Sequence, residues 1–218
     1  MIAAMKGNVV IISKLILSGC DKDKQDMDGK TALILAVEAN QKKVVDQLIY
    51  AKASVEKGDK FGWTPLIFAC QSGFIEIIEI LIRGGAEKDK CNEDGWSPLF
   101  TAAAFGQVEA VKALIGVGAD KEKVTESGIS PLHVAAERNH KDVVSFLLKS
   151  GVDVNRTDHG GWNALVNAAK GRHEEVCQML LEAGSKIRDE SMSELEKMFG
   201  KEKLDIILKR TPDATNID

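Results

Sequence analysis

Five glycines, Gly29, Gly62, Gly95, Gly128 and Gly161, stand 33 residues apart without a slip. A fixed period of that size describes a stack of similar units and excludes a single closed globule. Length alone, 218 residues, suggests one or two domains. The period instead predicts one elongated domain with a long continuous face, and that face is where such stacks work.

Five full units align over residues 26–188, opening with GKTALILAV, GWTPLIFAC, GWSPLFTAA, GISPLHVAA and GWNALVNAA. One residue after each glycine's neighbour comes Thr31, Thr64, Ser97, Ser130 or Asn163, all good helix N-caps. Pro65, Pro98 and Pro131 follow at the first helical position, where a missing N–H costs nothing. Leu33, Leu66, Leu99, Leu132 and Leu165, each with an alanine three residues on, share one helix face. A second helix carries a wide apolar stripe, for example Val44-Val45 with Leu48-Ile49. It ends at Gly85, Gly118, Gly151 or Gly184, which suit a left-handed cap. Lys52 takes that place in the first full unit, which predicts strain of about 1 kcal/mol or a different helix ending.

The stretches GWTPLIFACQSGFIEIIEILIRGGAEKD and GISPLHVAAERNHKDVVSFLLKSGVDVN resemble ankyrin repeats, and the likeness covers about residues 1–188. It is specific because cap, proline, leucine, alanine and terminal glycine recur together. The resemblance implies an all-α solenoid of stacked helix-turn-helix units with outward-pointing hairpin loops. The family's histidine after the motif leucine survives only as His133. Ile34, Ile67, Phe100 and Val166 replace it, so apolar contact is expected in place of polar bracing.

The ends depart from the motif. Met1 aligns with His133, four periods upstream, so residues 1–24 supply a partial repeat. This is either a reduced cap or the start of a piece cut from something longer; the second reading is favoured because an unprotected apolar end invites association. Beyond residues 26–188, residues 189–210 are expected to form a degenerate C-terminal cap, closing the domain at 1–210. There Ser191 and Glu194 match a capping box, Met192, Leu195 and Phe199 give one stripe, and Leu204, Ile207 and Leu208 give another. Residues 211–218 are expected to be a disordered tail.

What varies beside the framework is the place to look for function. The position after each motif glycine holds Lys30, Trp63, Trp96, Ile129 and Trp162, and these are the chain's only three tryptophans. In the resembled family this position lies on the hairpin, at the edge of the concave face, and contacts partners. Repeats stacked about 8–10 Å apart make these side chains a ladder. Each tryptophan either supplies binding area or lies flat on the next hairpin and stiffens it; both can hold at once. With Phe61 and Phe105, the candidate partner-binding set is Lys30, Phe61, Trp63, Trp96, Phe105, Ile129 and Trp162, centred on repeats three and four. Glu93, Asp94 and Glu126 give it an acidic fringe that suits a weakly basic or amphipathic peptide. Mixed-sign runs such as Asp21-Lys22-Asp23-Lys24 and Lys121-Glu122-Lys123 read as solvated loops.

No catalytic, cofactor-binding or metal-binding set emerges. His140 and His173 share one repeat position and reflect repetition; His173-Glu174-Glu175 lacks the second histidine of a zinc-protease helix. There is no phosphate loop and no nucleophile elbow. Four cysteines form no CxxC pair, and Cys70 and Cys177 read as small buried hydrophobes, which suits a cytoplasmic or nuclear setting. A net charge of −4 argues against nucleic acid, and no apolar run approaches the roughly 20 residues of a membrane span. Leu147, Asp153, Val154 and Asn155 resemble the stretch that asparaginyl hydroxylases modify in some animal ankyrin repeats, which makes Asn155 a candidate for hydroxylation. The expectation is a non-catalytic protein-interaction scaffold, monomeric in isolation, binding a protein or peptide. The alternative is a cytosolic regulatory segment of a larger enzyme or channel.

Overall fold

The structure, a computed structural model, describes residues 1–202 and Leu204. Among them lie thirteen α-helices and no strand. Twelve fall into pairs: α1 (Ile2–Met5) with α2 (Val9–Leu17), α3 (Ala32–Glu38) with α4 (Lys42–Tyr50), and α5 (Pro65–Ser72) with α6 (Ile75–Arg83). Then come α7 (Pro98–Ala104) with α8 (Val108–Gly116), α9 (Pro131–Glu137) with α10 (Lys141–Lys149), and α11 (Ala164–Lys170) with α12 (Glu174–Glu182). A last helix, α13 (Asp189–Phe199), follows.

The chain divides into two compact units. The first comprises residues 1–102 and 109–119, the second residues 103–108 and those from 120 onward. In the first, α3 packs on α1, α4 and α5, while α4 packs on α2 and α6. In the second, α11 packs on α9, α12 and α13, and α10 on α9 and α12. The motif leucines Leu33, Leu66, Leu99, Leu132 and Leu165 are buried, as are Ala36, Ala69, Ala102, Ala135 and Ala168 beside them. Cys70 and Cys177 are buried as expected.

Each expected cap of the five full repeats is made. Thr31, Thr64, Ser97, Ser130 and Asn163 accept from the backbone N–H three residues on, at 3.1–3.4 Å. Pro65, Pro98 and Pro131 open their helices. The motif glycine is required twice over at Gly29: its φ is +80°, and a Cβ there would lie 2.6 Å from the backbone nitrogen of Lys60. Lys52 takes the left-handed conformation, φ +65°, that glycine adopts at the same register elsewhere, so the strained ending is the one realised.

Three expectations change. Ser191 is not the N-cap of the last helix, which begins at Asp189; Ser191 is buried one turn inside it. Its hydroxyl accepts from the N–H of Arg188 (3.3 Å) and donates to the carbonyl of Arg188 (2.8 Å), closing the helix start from within. Leu195 and Phe199 of the expected stripe are buried. Polar bracing between repeats is not lost but moved. Among its contacts, the Nε2–H of His140 donates to the carbonyl of Ala104 (3.0 Å) and that of His173 to the carbonyl of Glu137 (2.8 Å). Gln41 reaches the carbonyl of Met5 (3.3 Å) from the same register.

Within the mixed-sign runs, third, Asp23 and Glu122 act as staples. Asp23 accepts from the N–H of Ser54, Glu56 from Glu87, and Glu122 from Asp153, at 2.7–2.8 Å. Lys57 donates back to the carbonyl of Asp23, and Arg156 to the Glu122 carboxylate. At the start of the chain, Ile11 and Leu15 are 46% and 39% exposed, against 1% and 2% for their counterparts Val44 and Leu48. Of the expected second terminal stripe, Leu204 is buried; Ile207, Leu208 and residues 211–218 lie outside the described residues.

Candidate functional site

Each ladder side chain is presented by the same turn. Asp59 donates its N–H to the carbonyl of Trp63, and its Oδ1 accepts from the N–H groups of Phe61 and Trp63, both at 2.9 Å. Asp26, Asn92 and Asp158 do the same for the residues after Gly29, Gly95 and Gly161. Thr125 does so by its hydroxyl for Ile129, at 3.3 Å. Hairpins then join edge to edge: Lys60 donates to the carbonyl of Asp28, and Glu93 to that of Phe61, at 3.1 Å. A short polar residue, a glycine three on and a large side chain after it thus fix where that side chain leaves the backbone.

In the first unit the ladder becomes a row of rings. Trp63 and Trp96 lie 6.0 Å apart, centroid to centroid, tilted by 46°. Phe68 lies 5.4 Å from Trp63, and Phe100 lies 5.0 Å from Trp96. These tilted, offset distances are those that favour aromatic pairs. The ammonium of Lys30 sits 5.2 Å from the centroid of the Phe68 ring and pairs with Glu38 at 2.6 Å. Trp63 and Trp96 are half-buried, so they stiffen the ladder and still offer surface. Phe61 stands clear, 65% exposed. Together Asp28, Lys30, Asp59, Lys60, Phe61, Trp63, Phe68 and Gln71 line a groove of about 500 Å³.

The second unit treats the same register differently. Trp162 is half-buried under the ammonium of Lys170, 3.0 Å from the ring centroid. The guanidinium of Arg138 lies 5.6 Å from the ring of Phe105. Ile129 is half-buried. His133 is buried; its Nε2–H donates to the carbonyl of Trp162 (3.0 Å), because a carbonyl can only accept. Nδ1 is therefore the acceptor, facing the hydroxyl of Ser130 at 2.7 Å. Burial, partly offset by the Trp162 carbonyl, holds the imidazole below its ordinary pKa and keeps it neutral.

Of the residues singled out from the sequence, Lys30, Phe61, Trp63 and Trp96 thus belong to one surface of the first unit. Phe105, Ile129 and Trp162 belong to the second. Sequence reasoning missed Phe68 and Phe100. The signal was present: each lies four or five residues beyond a ladder tryptophan, near the start of the helix that its turn leads into. Asn155 is held at both ends of its carboxamide. Oδ1 accepts from the N–H of Lys186 (2.7 Å), and Nδ2 donates to the carbonyl of Gly184 (3.2 Å).

Among the described residues no cluster of three or more His, Cys, Asp or Glu is arranged to hold a metal ion, and no helix is long and apolar enough to cross a membrane. Burial pushes the Cys177 thiol up to about 12 and that of Cys70 up as well, which leaves neither a ready thiolate nucleophile. A family model for ankyrin repeats, spanning three copies, matches residues 1–90, 35–125, 75–158 and 99–191. A search of curated proteins gave no match.

Proposed function

The chain belongs to the ankyrin repeat family, whose repeats are in general protein–protein interaction modules, and we propose that it binds a partner protein through the aromatic row of its first unit. One observation carries this reading: Trp63 is packed between Phe68 and Trp96 and still half-exposed beside the groove under Phe61. A ring fixed before binding loses little rotamer freedom, and tryptophan in such a position is enriched at interface hot spots. The role is non-catalytic, the chain acts as a monomer, and its free cysteines suit the cytoplasm or nucleus.

The test is affinity capture from the source cell with wild type, Trp63→Ala and Trp162→Ala, each checked for helical content by circular dichroism. Wild type and Trp162→Ala should retain a partner that Trp63→Ala loses, because Lys170 already covers the face of Trp162. Capture of one identical set by all three folded proteins sinks the reading.

A further inference from the structure

Resting on that reading, we infer that the groove of the first unit takes a basic, extended peptide and seats an arginine side chain of it between the ring of Phe61 and the carboxylate of Asp28. Phe68, Phe105 and Trp162 each have a lysine or arginine of the same chain over them, at 5.2, 5.6 and 3.0 Å. The negative face of an aromatic ring attracts cations, and more so where water is displaced. Phe61 is the most exposed ring of the groove, and no cation of the chain is described over it.

Charge around the groove points the same way. The hairpin tips (residues 26–30, 59–63 and 92–96) and first-helix ends beside it carry Asp26, Asp28, Glu38, Asp59, Glu93 and Asp94, against Lys30 and Lys60. Part of that charge is committed. Asp26 and Asp59 hold their own turns, and Glu38 neutralises Lys30. Among the described residues, none donates to the carboxylates of Asp28, Glu93 or Asp94. Within the hairpin tips at residues 26–30, 59–63 and 92–96, Lys60 is the one remaining counter-charge, so their uncommitted balance is negative.

Arginine fits better than lysine. Its planar guanidinium stacks on a ring while its edge still offers paired donors to a carboxylate, whereas an ammonium is a strongly hydrated point charge. Asp28 and Phe61 line the same groove, which supplies both partners. Trp63 and Phe68, which line the same groove, take the aliphatic stem.

The probe is a capped peptide with two arginines separated by glycine, compared with twins in which citrulline or lysine replaces arginine. Binding is read by NMR on the whole chain. The arginine peptide should shift the amides of residues 59–63 and the indole of Trp63, with little change at Trp162. The citrulline twin, alike in shape and uncharged, should bind about 5-fold more weakly or worse, and the lysine twin should fall between. Phe61→Ala should narrow the difference between arginine and citrulline, with Asp28 still favouring the charged head, and an undiminished difference overturns the seat at Phe61; being exposed, this side chain can be cut back without unfolding the unit. Asp28→Asn should weaken the arginine peptide and flatten its salt dependence. Equal response to arginine and citrulline, or shifts centred on Trp162, overturns the inference. Loss of capture by Trp63→Ala alongside an unresponsive groove leaves the binding reading standing and removes the arginine. Unaltered capture by Trp63→Ala removes the reading itself.

Discussion

Just after the motif leucine, Ile67 in the first unit and His133 in the second are both buried, yet the hairpins beyond them are held by different means. His133 donates a hydrogen bond to the carbonyl of Trp162 and leaves the indole to Lys170. Ile67 offers no polar group, and the matching hairpin is held through the ring of Trp96, packed at a tilt against Trp63 and Phe100. A hydrogen bond is directional and satisfies the atoms it uses. Ring packing is broad and leaves apolar area at its edge. The unit without the histidine is therefore the one that presents an aromatic surface.

The sharpest way to break this comparison is at its apolar half. Ile67→Ala should cost about 2–5 kcal/mol in urea unfolding, because Ile67 is fully buried and its truncation leaves a cavity. Ile67→His should cost clearly less, since Thr64 stands where Ser130 does and the Trp96 carbonyl where that of Trp162 does. If histidine is as damaging as alanine, the two means are not interchangeable.

At the polar half, His133→Leu should cost about 1–3 kcal/mol at pH 7.5 by leaving the Ser130 hydroxyl and the Trp162 carbonyl without this partner. The pH dependence has a definite sign. The folded pKa of His133 lies below its unfolded value near 6.5. The contribution of the neutral ring is intact above that value. As pH falls below it, the unfolded chain binds the proton more readily and stability declines. The gap between urea midpoints at pH 7.5 and 5 should shrink in His133→Leu; an unchanged gap assigns the acid sensitivity elsewhere.

Much of this was legible in the sequence, for a physical reason. Caps, prolines, leucines and terminal glycines act through their own few neighbours, so a local pattern reports them. Lys52 was readable as strained because its register is glycine in the later units. What escaped acts across a whole period. Asp23 bonds a backbone N–H 31 residues on, and Lys57 reaches back 34. Within one loop these charges look like solvated mixed runs. The same holds for His140 and His173, whose shared register was the sign of a repeated brace. Asn155 sits where Asp23, Glu56 and Glu122 stand in their units, and Asp189 stands where Lys57, Lys90 and Arg156 do. A neutral amide there avoids setting two carboxylates at one staple. Phe68 and Phe100 were missed because a helical position near its cap reads as framework, whichever side of the helix it serves.

A smaller effect tests the backbone. Lys52→Gly should raise stability by about 1 kcal/mol, because glycine meets no Cβ clash in the left-handed region. Gly151→Lys, at the same register of the second unit, should lower it by a similar amount. Matched shifts of opposite sign in urea midpoint establish that this turn is alike in both units and that the difference between them lies in the hairpins.

The smallest effect separates two kinds of staple. Lys57 donates to a neutral carbonyl, that of Asp23, at 2.7 Å. Arg156 donates to the Glu122 carboxylate at 3.0 Å, with both side chains partly in water. An ion pair of that exposure contributes about 0–1 kcal/mol and is screened by salt. Arg156→Gln should therefore lose a few tenths of a kcal/mol at low ionic strength, and the loss should vanish near 1 M sodium chloride, where the screening length is about 3 Å. Lys57→Gln also loses its bond to the carbonyl, and a dipole at contact distance is screened far less than a second full charge. Its loss should persist in salt. Equal salt dependence for the two variants would mean that both lysine and arginine act mainly through the general field of the loop, and that the contact each makes across the period adds little.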